Sequence, residues 1–183
     1  DLRGYTKITD TAPPDEIIPL LNDYAAAVIA AVRNAGGEVL KLIGDGVLAI
    51  FRADDAPQAC RRALRAEAAM RSGVEAVNAL RAAGNHPITS VYLGLHIGEV
   101  FYGNIGSEDR LDFTVVGPAV NEASRIAAMC RSVDRSVVMS SEFASATPHP
   151  ERANLVSVGR FALRGVGRAQ QLFTIDPQLG AHP

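Results

Sequence analysis

The order of its elements predicts an α+β sandwich of the ferredoxin-like kind: a βαββαβ core, a β-rich C-terminal extension and a protruding β-ribbon. Three observations carry this reading. Long stripes of helical periodicity alternate with short β-branched runs, two of those runs flank a glycine-marked turn, and a polar loop between Ile105 and Leu111 separates two apolar strands.

Ahead of the first helix, the segment from Thr6 to Pro14 reads as a turn, and a strand is expected to lead into Asp1. Because the sequence begins at that point, it is read as a fragment of a longer protein whose N-terminal regions are missing. Ile17, Leu21, Tyr24, Val28 and Val32 recur at helical spacing, and Gly36-Gly37 ends the pattern. Glu38 to Ile43 and Val47 to Phe51 are β-rich runs joined through Gly44-Asp45-Gly46, a hairpin with its acid at the tip. A second helix is predicted from Ala56 to Ala83, with Cys60, Leu64, Met70, Val74, Val77 and Leu80 on one stripe and Gly84-Asn85 as its stop. Ile88 to Val100 reads as a central strand, and Phe101 to Ile105 with Leu111 to Val116 as a ribbon. Pro118 suits the start of a third helix over Ala119 to Cys130, and Val137 to Ser140, Leu155 to Leu163 and Gln171 to Ile175 supply further strands.

The 183 residues suit one domain able to bury an adequate core. Eighteen basic against twenty acidic side chains, a formal charge of −2, give no general attraction to nucleic acid or to anionic membranes. No apolar run approaches the roughly 20 residues of a membrane span, so this segment is expected to make no membrane contact and to work in the cytoplasm, a tether through missing flanks aside. Cys60 and Cys130 show no metal-ligand spacing and read as reduced core thiols.

Asp1 and Asp45 each stand in a glycine-marked turn, in Asp-Leu-Arg-Gly-Tyr-Thr and in Lys-Leu-Ile-Gly-Asp-Gly. Carboxylates backed by glycines suit a hard dication that also holds a phosphate, although each alone also suits an ordinary turn. Asn121 and Arg125 are four apart at a predicted helix start, so they project from one face. A guanidinium and an amide at a helix N-terminus can stabilise charge on a phosphoryl oxygen; they also suit a solvated polar face.

Together with Gly-Asn-Ile-Gly, Asp-Phe-Thr-Val-Val-Gly, Val-Asn-Glu-Ala-Ser-Arg and Phe161-Ala162-Leu163-Arg164-Gly165-Val166, these motifs resemble the class III adenylyl cyclase catalytic domain, in order and over nearly the whole chain. The resemblance implies a catalytic domain over residues 1–176 followed by a tail over 177–183. It implies two Mg²⁺ or Mn²⁺ ions held by Asp1, Asp45 and the backbone carbonyl of Leu2. Asn121 would position the ribose, Arg125 would stabilise the α-phosphate, and Arg164 would stand where the family usually has a phosphate-binding lysine. Lys41 and Thr114 would read the purine. A lysine donates to adenine N1 and opposes the protonated N1 of guanine. Thr114 replaces the aspartate common at that position, as in a subgroup often stimulated by bicarbonate.

The reaction so implied converts ATP to 3′,5′-cyclic AMP and pyrophosphate. The resemblance further implies a head-to-tail homodimer, in which Asp1 and Asp45 of one chain face Lys41, Thr114, Asn121, Arg125 and Arg164 of the other, with the ribbon as dimerisation arm. The alternative is a non-catalytic cyclase-homology domain that binds nucleotide or regulates a neighbour; a chain that keeps both aspartates and the Asn/Arg pair argues against it. A diguanylate-cyclase relative would carry a Gly-Gly-Asp/Glu-Glu-Phe hairpin, where this chain has Gly44-Asp45-Gly46.

Overall fold

In the computed structural model, residues 1–107 and 110–178 are described, and the chain forms two compact units. The first comprises Asp1–Arg52 and Arg62–Val91; the second comprises Ala53–Arg61 and everything from Tyr92 onward. The class is α+β, as the sequence predicts. The tip of the ribbon at 108–109 and the tail from 179 lie outside the described residues.

The first unit holds α1 (Tyr5–Thr11), α2 (Pro14–Asn34), β1 (Glu38–Ile43), β2 (Gly46–Ile50) and most of α3 (Ala56–Ala83). Helix α1 replaces the expected turn. It is short and buries no residue, so no apolar stripe announced it. On α2 the buried face is Leu20, Tyr24, Val28, Ala31 and Val32, a stripe shifted from Ile17 and Leu21 toward the small residues of the last turns. Strands β1 and β2 pair antiparallel around the two-residue loop Gly44-Asp45, with Gly44 in the left-handed region at φ 61°. Leu80, expected on the apolar stripe of α3, is 76% exposed, and its neighbour Arg81 is the buried residue.

Two polar networks organise this unit. The Tyr24 hydroxyl accepts the Thr89 N–H at 2.7 Å and bonds to Asn78 Oδ1, while Asn78 Nδ2 donates to the Thr89 carbonyl at 2.8 Å. Arg81 donates from Nε to the Pro87 carbonyl at 2.7 Å, from Nη1 to Asp23 and from Nη2 to Glu16 at 3.1 Å, and Glu16 also meets His86 Nδ1 at 2.7 Å. These side-chain bonds satisfy the backbone around residues 87–89, which therefore needs no ladder. The predicted strand from Ile88 to Val100 accordingly contracts to β3 (Leu93–Leu95). Beside Asp1, an isolated antiparallel bridge joins Leu2 to Val91.

The second unit carries a four-stranded sheet ordered β3-β6-β8-β7, with β6 (Val137–Ser140) parallel to β3 and antiparallel to β8 (Gln170–Ile175), and β7 (Leu155–Phe161) closing the edge. Helix α4 (Pro118–Ser132) buries Ile126 and Cys130 with Val138, Leu163 and Leu172. The ribbon is β4 (Phe101–Ser107) with β5 (Arg110–Val116), paired to each other in their own two-stranded sheet. A short α5 (Ser141–Ala146) follows β6, with the Ser140 hydroxyl accepting the Phe143 N–H at 3.1 Å. The sequence signal for it was present in that serine followed by Glu142 in the first turn.

Burial pushes the thiols of Cys60 and Cys130 up to about 11, which makes both poor nucleophiles and agrees with a reading as core residues. An acid whose pKa is raised on folding favours the folded state while protonated. Its contribution is complete below 9.0 and is lost as pH rises to about 11. Across that window the fall in the urea midpoint should be shallower for the Cys60→Ala/Cys130→Ala chain than for the parent. Removing the buried Arg81 strands Glu16 and Asp23. Because the Asp23 side chain is 47% exposed, Arg81→Ala should cost about 2 kcal/mol in urea unfolding, short of the roughly 3–5 of a fully buried pair.

Candidate active site

The first unit brings Asp1, Leu2 and Asp45 together. The Leu2 N–H donates to Asp45 Oδ2 at 3.0 Å, a charge-assisted bond that orients the hairpin carboxylate. Arg3 is fixed to the neighbouring segment by its own N–H to the Ser90 carbonyl at 2.8 Å and by the Thr89 hydroxyl donating to the Arg3 carbonyl at 2.6 Å. Leu2 is buried, so the chain start is held by packing as well as by hydrogen bonds. Asp1 Oδ1 lies where a side chain on Gly46 would begin: a Cβ there would collide with it. Glycine at 46 is thus the condition for the two carboxylates to converge on one hairpin tip. An exposed and a half-buried carboxylate, beside an unbranched backbone, fit a hard dication with open coordination positions.

Lys41 stands in the same unit on β1, half-buried and opposite Leu48 across the hairpin. The remaining predicted residues belong to the second unit. Asn121 and Arg125 occupy one face of α4, at its N-terminal end, with Asn121 exposed and Arg125 half-buried. The helix cannot drift from the sheet: a Cβ on Gly94 of β3 would come within 2.5 Å of the Ala123 carbonyl and the Ala127 nitrogen. Arg164 is exposed on the loop between β7 and β8, anchored by the buried Leu163 and by the Val166 N–H donating to the Leu163 carbonyl at 3.0 Å. The next residue, Gly165, has φ 71°, and the guanidinium of Arg125 lies 3.2 Å from where its Cβ would stand. Arg125 and the Arg164 loop are therefore adjacent, and two guanidinium groups on one surface suit a polyphosphate. Thr114 lies elsewhere in the unit, buried on β5 opposite Gly103.

One grouping carried no sequence signal. His96, Glu122 and Glu142, far apart in the chain, place ligand atoms within 4.8 Å of one another. They form a His/carboxylate set of the kind that can hold a dication.

The family model for the adenylate and guanylate cyclase catalytic domain matches residues 1–176. An adenylate cyclase of Anabaena cylindrica is 35% identical over 159 residues, which are 85% of this chain and 31% of that protein. Among solved structures, a bacterial light-regulated adenylyl cyclase superposes with a TM-score of 0.82 at 26% identity, covering 96% of this chain and 50% of the other. The guanylyl cyclase Cya2 superposes equally well, at 0.82 and 26%, covering 96% and 87%. The chain spans less than a third of the length of the curated relatives it matches. No helix among the described residues is long and apolar enough to cross a membrane. With the Asp1 carboxylate set against the glycine-backed hairpin that carries Asp45, and an Asn/Arg face on α4, the chain belongs to the adenylate and guanylate cyclase catalytic domain family.

Proposed function

We propose that this domain is an adenylate cyclase that converts ATP to 3′,5′-cyclic AMP and pyrophosphate, at two sites shared between the subunits of a cytoplasmic homodimer. The observation that carries the reading is the convergence of Asp1 and Asp45 through the Leu2 N–H bond and the bare Gly46. Two magnesium or manganese ions held by Asp1, Asp45 and the Leu2 carbonyl would supply activation of the ribose 3′-hydroxyl and neutralisation of the pyrophosphate. In the reaction the 3′-oxygen bonds to the α-phosphorus, and the bond from that phosphorus to the β-phosphate oxygen breaks.

The residues of the chain do the rest. Asn121 positions the ribose for in-line approach, and Arg125 meets the charge that grows on the α-phosphate. Gly165 leaves the Arg125 guanidinium room beside the Arg164 loop, so Arg164 can bind the β- and γ-phosphates. Lys41 donates to adenine N1, and the buried Thr114 hydroxyl meets the purine edge. Likeness to a guanylyl cyclase equal to that to an adenylyl cyclase leaves base choice to these two side chains.

Association is supported by the ribbon. Phe101 and Val116, opposite each other in its ladder, are exposed, as are Tyr102 and Ile105 on the same strand pair. Such a surface suits burial against a second copy.

The identity of the product tests the reading. Incubated with Mn²⁺ and either nucleotide, the protein should yield cyclic AMP from ATP by mass spectrometry and much less cyclic GMP from GTP. No cyclic nucleotide from either would favour a binding or regulatory domain. Shared sites are tested by mixing: Asp45→Ala and Arg125→Ala chains should each fall by on the order of 100-fold. An equal mixture should recover about a quarter of the parental rate, because half of the dimers then hold one intact site of two.

A further inference from the structure

We propose that His96, Glu122 and Glu142 bind one first-row transition-metal dication, best matched by zinc, which ties the N-terminal part of α4 to α5 and to the segment after β3. An imidazole nitrogen with two carboxylates is a donor set for Zn²⁺ and its neighbours, and differs from the all-oxygen set at Asp1 and Asp45. The site lies wholly in the second unit and does not depend on the cyclase reading.

The histidine is the decisive residue. Its side chain is only 7% exposed, yet its two nitrogens are treated differently. Nδ1 lies 2.9 Å from the Ser140 hydroxyl, whose oxygen also accepts the Phe143 N–H. With Nδ1–H donating to Ser140, Nε2 presents its lone pair toward Glu122. The distance from Nε2 to Glu122 Oε2 is 3.8 Å, too long for a hydrogen bond and close to the ~3.3 Å separating two ligands on a tetrahedral ion about 2.0–2.1 Å from each. A buried imidazole and a carboxylate spaced in this way are set for an ion between them.

Two further features support the site. Gln170 Nε2 donates to Glu122 Oε1, which orients the carboxylate from behind, while Gln170 Oε1 is buried without a hydrogen-bond partner. A Cβ on Gly98 would stand 3.1 Å from His96 Nε2, so glycine at 98 keeps the approach to that nitrogen clear. Glu142, exposed on α5, offers a carboxylate oxygen within 4.8 Å of the other two ligand atoms. Because Glu122 follows Asn121 and precedes Arg125 by three positions on α4, the ion would stiffen the turn that carries them.

Metal-free protein titrated calorimetrically with Zn²⁺ in excess Mg²⁺, which occupies the all-oxygen site, should take up one Zn²⁺ per chain. Asp45→Asn should leave this uptake in place, while His96→Gln, Glu122→Gln and Glu142→Gln should each weaken it by at least about tenfold. Co²⁺ should give the visible absorption of a tetrahedral site without thiolate charge transfer. Glu142 lies on the surface, so its variant remains informative even if His96→Gln does not fold. Absence of saturable Zn²⁺ binding, its persistence in both glutamate variants, or its loss in Asp45→Asn would overturn the proposal.

Discussion

The amide of Leu2 points at the carboxylate of Asp45, and most of what the first unit offers chemically follows from that one bond. A carboxylate at a two-residue hairpin tip would otherwise sample many orientations in water. The N–H of Leu2 restrains it. It is itself held by a chain of partners, Arg3 to Ser90 and Thr89, and Thr89 to Tyr24 and Asn78, which reaches the buried faces of α2 and α3. A phenol hydroxyl in the interior therefore helps to determine where a surface carboxylate stands. Burial raises the pKa of Tyr24, so the hydroxyl keeps the proton that lets it donate as well as accept.

How much of this was legible in the sequence depended on whether the information was local. The bounds of β1, α3 and β6 follow from apolar periodicity, β-branching and glycine stops, and the structure reproduces them. The failures share a cause. Ile88 to Val100 has strand composition, but Asn78 on α3 and Tyr24 on α2 supply the hydrogen bonds that Thr89 would have sought in a ladder. Leu80 has the spacing of a core residue and lies outside because Arg81 found two carboxylates and a carbonyl within the unit. For the site, the pairing of Asp1 with Asp45 was legible through the resemblance of the ordered motifs, since each glycine-marked turn alone also suits an ordinary turn. The set of His96, Glu122 and Glu142 was not, because only the sheet and the α4 packing bring its members into range.

The proposed site residues divide by chemistry along the unit boundary. Both acids lie in the first unit, and the arginines lie in the second. Each half is ordered by its own interior: one by polar bonds to a buried tyrosine, the other by apolar packing around Ile126 and Leu172. Neither depends on the other for its order.

Gly94 sets a further limit. With the backbone of α4 in contact with the place where any larger side chain would begin, the helix has no slack toward the sheet, and the positions of Asn121 and Arg125 are as fixed as β3 itself. Give must then come from the other wall. The loop after β7 has it: Gly165 is in the left-handed region, and a Cβ on Gly167 would meet nothing within 4 Å. The surface that carries Arg164 therefore has room around its backbone that the surface carrying Arg125 lacks.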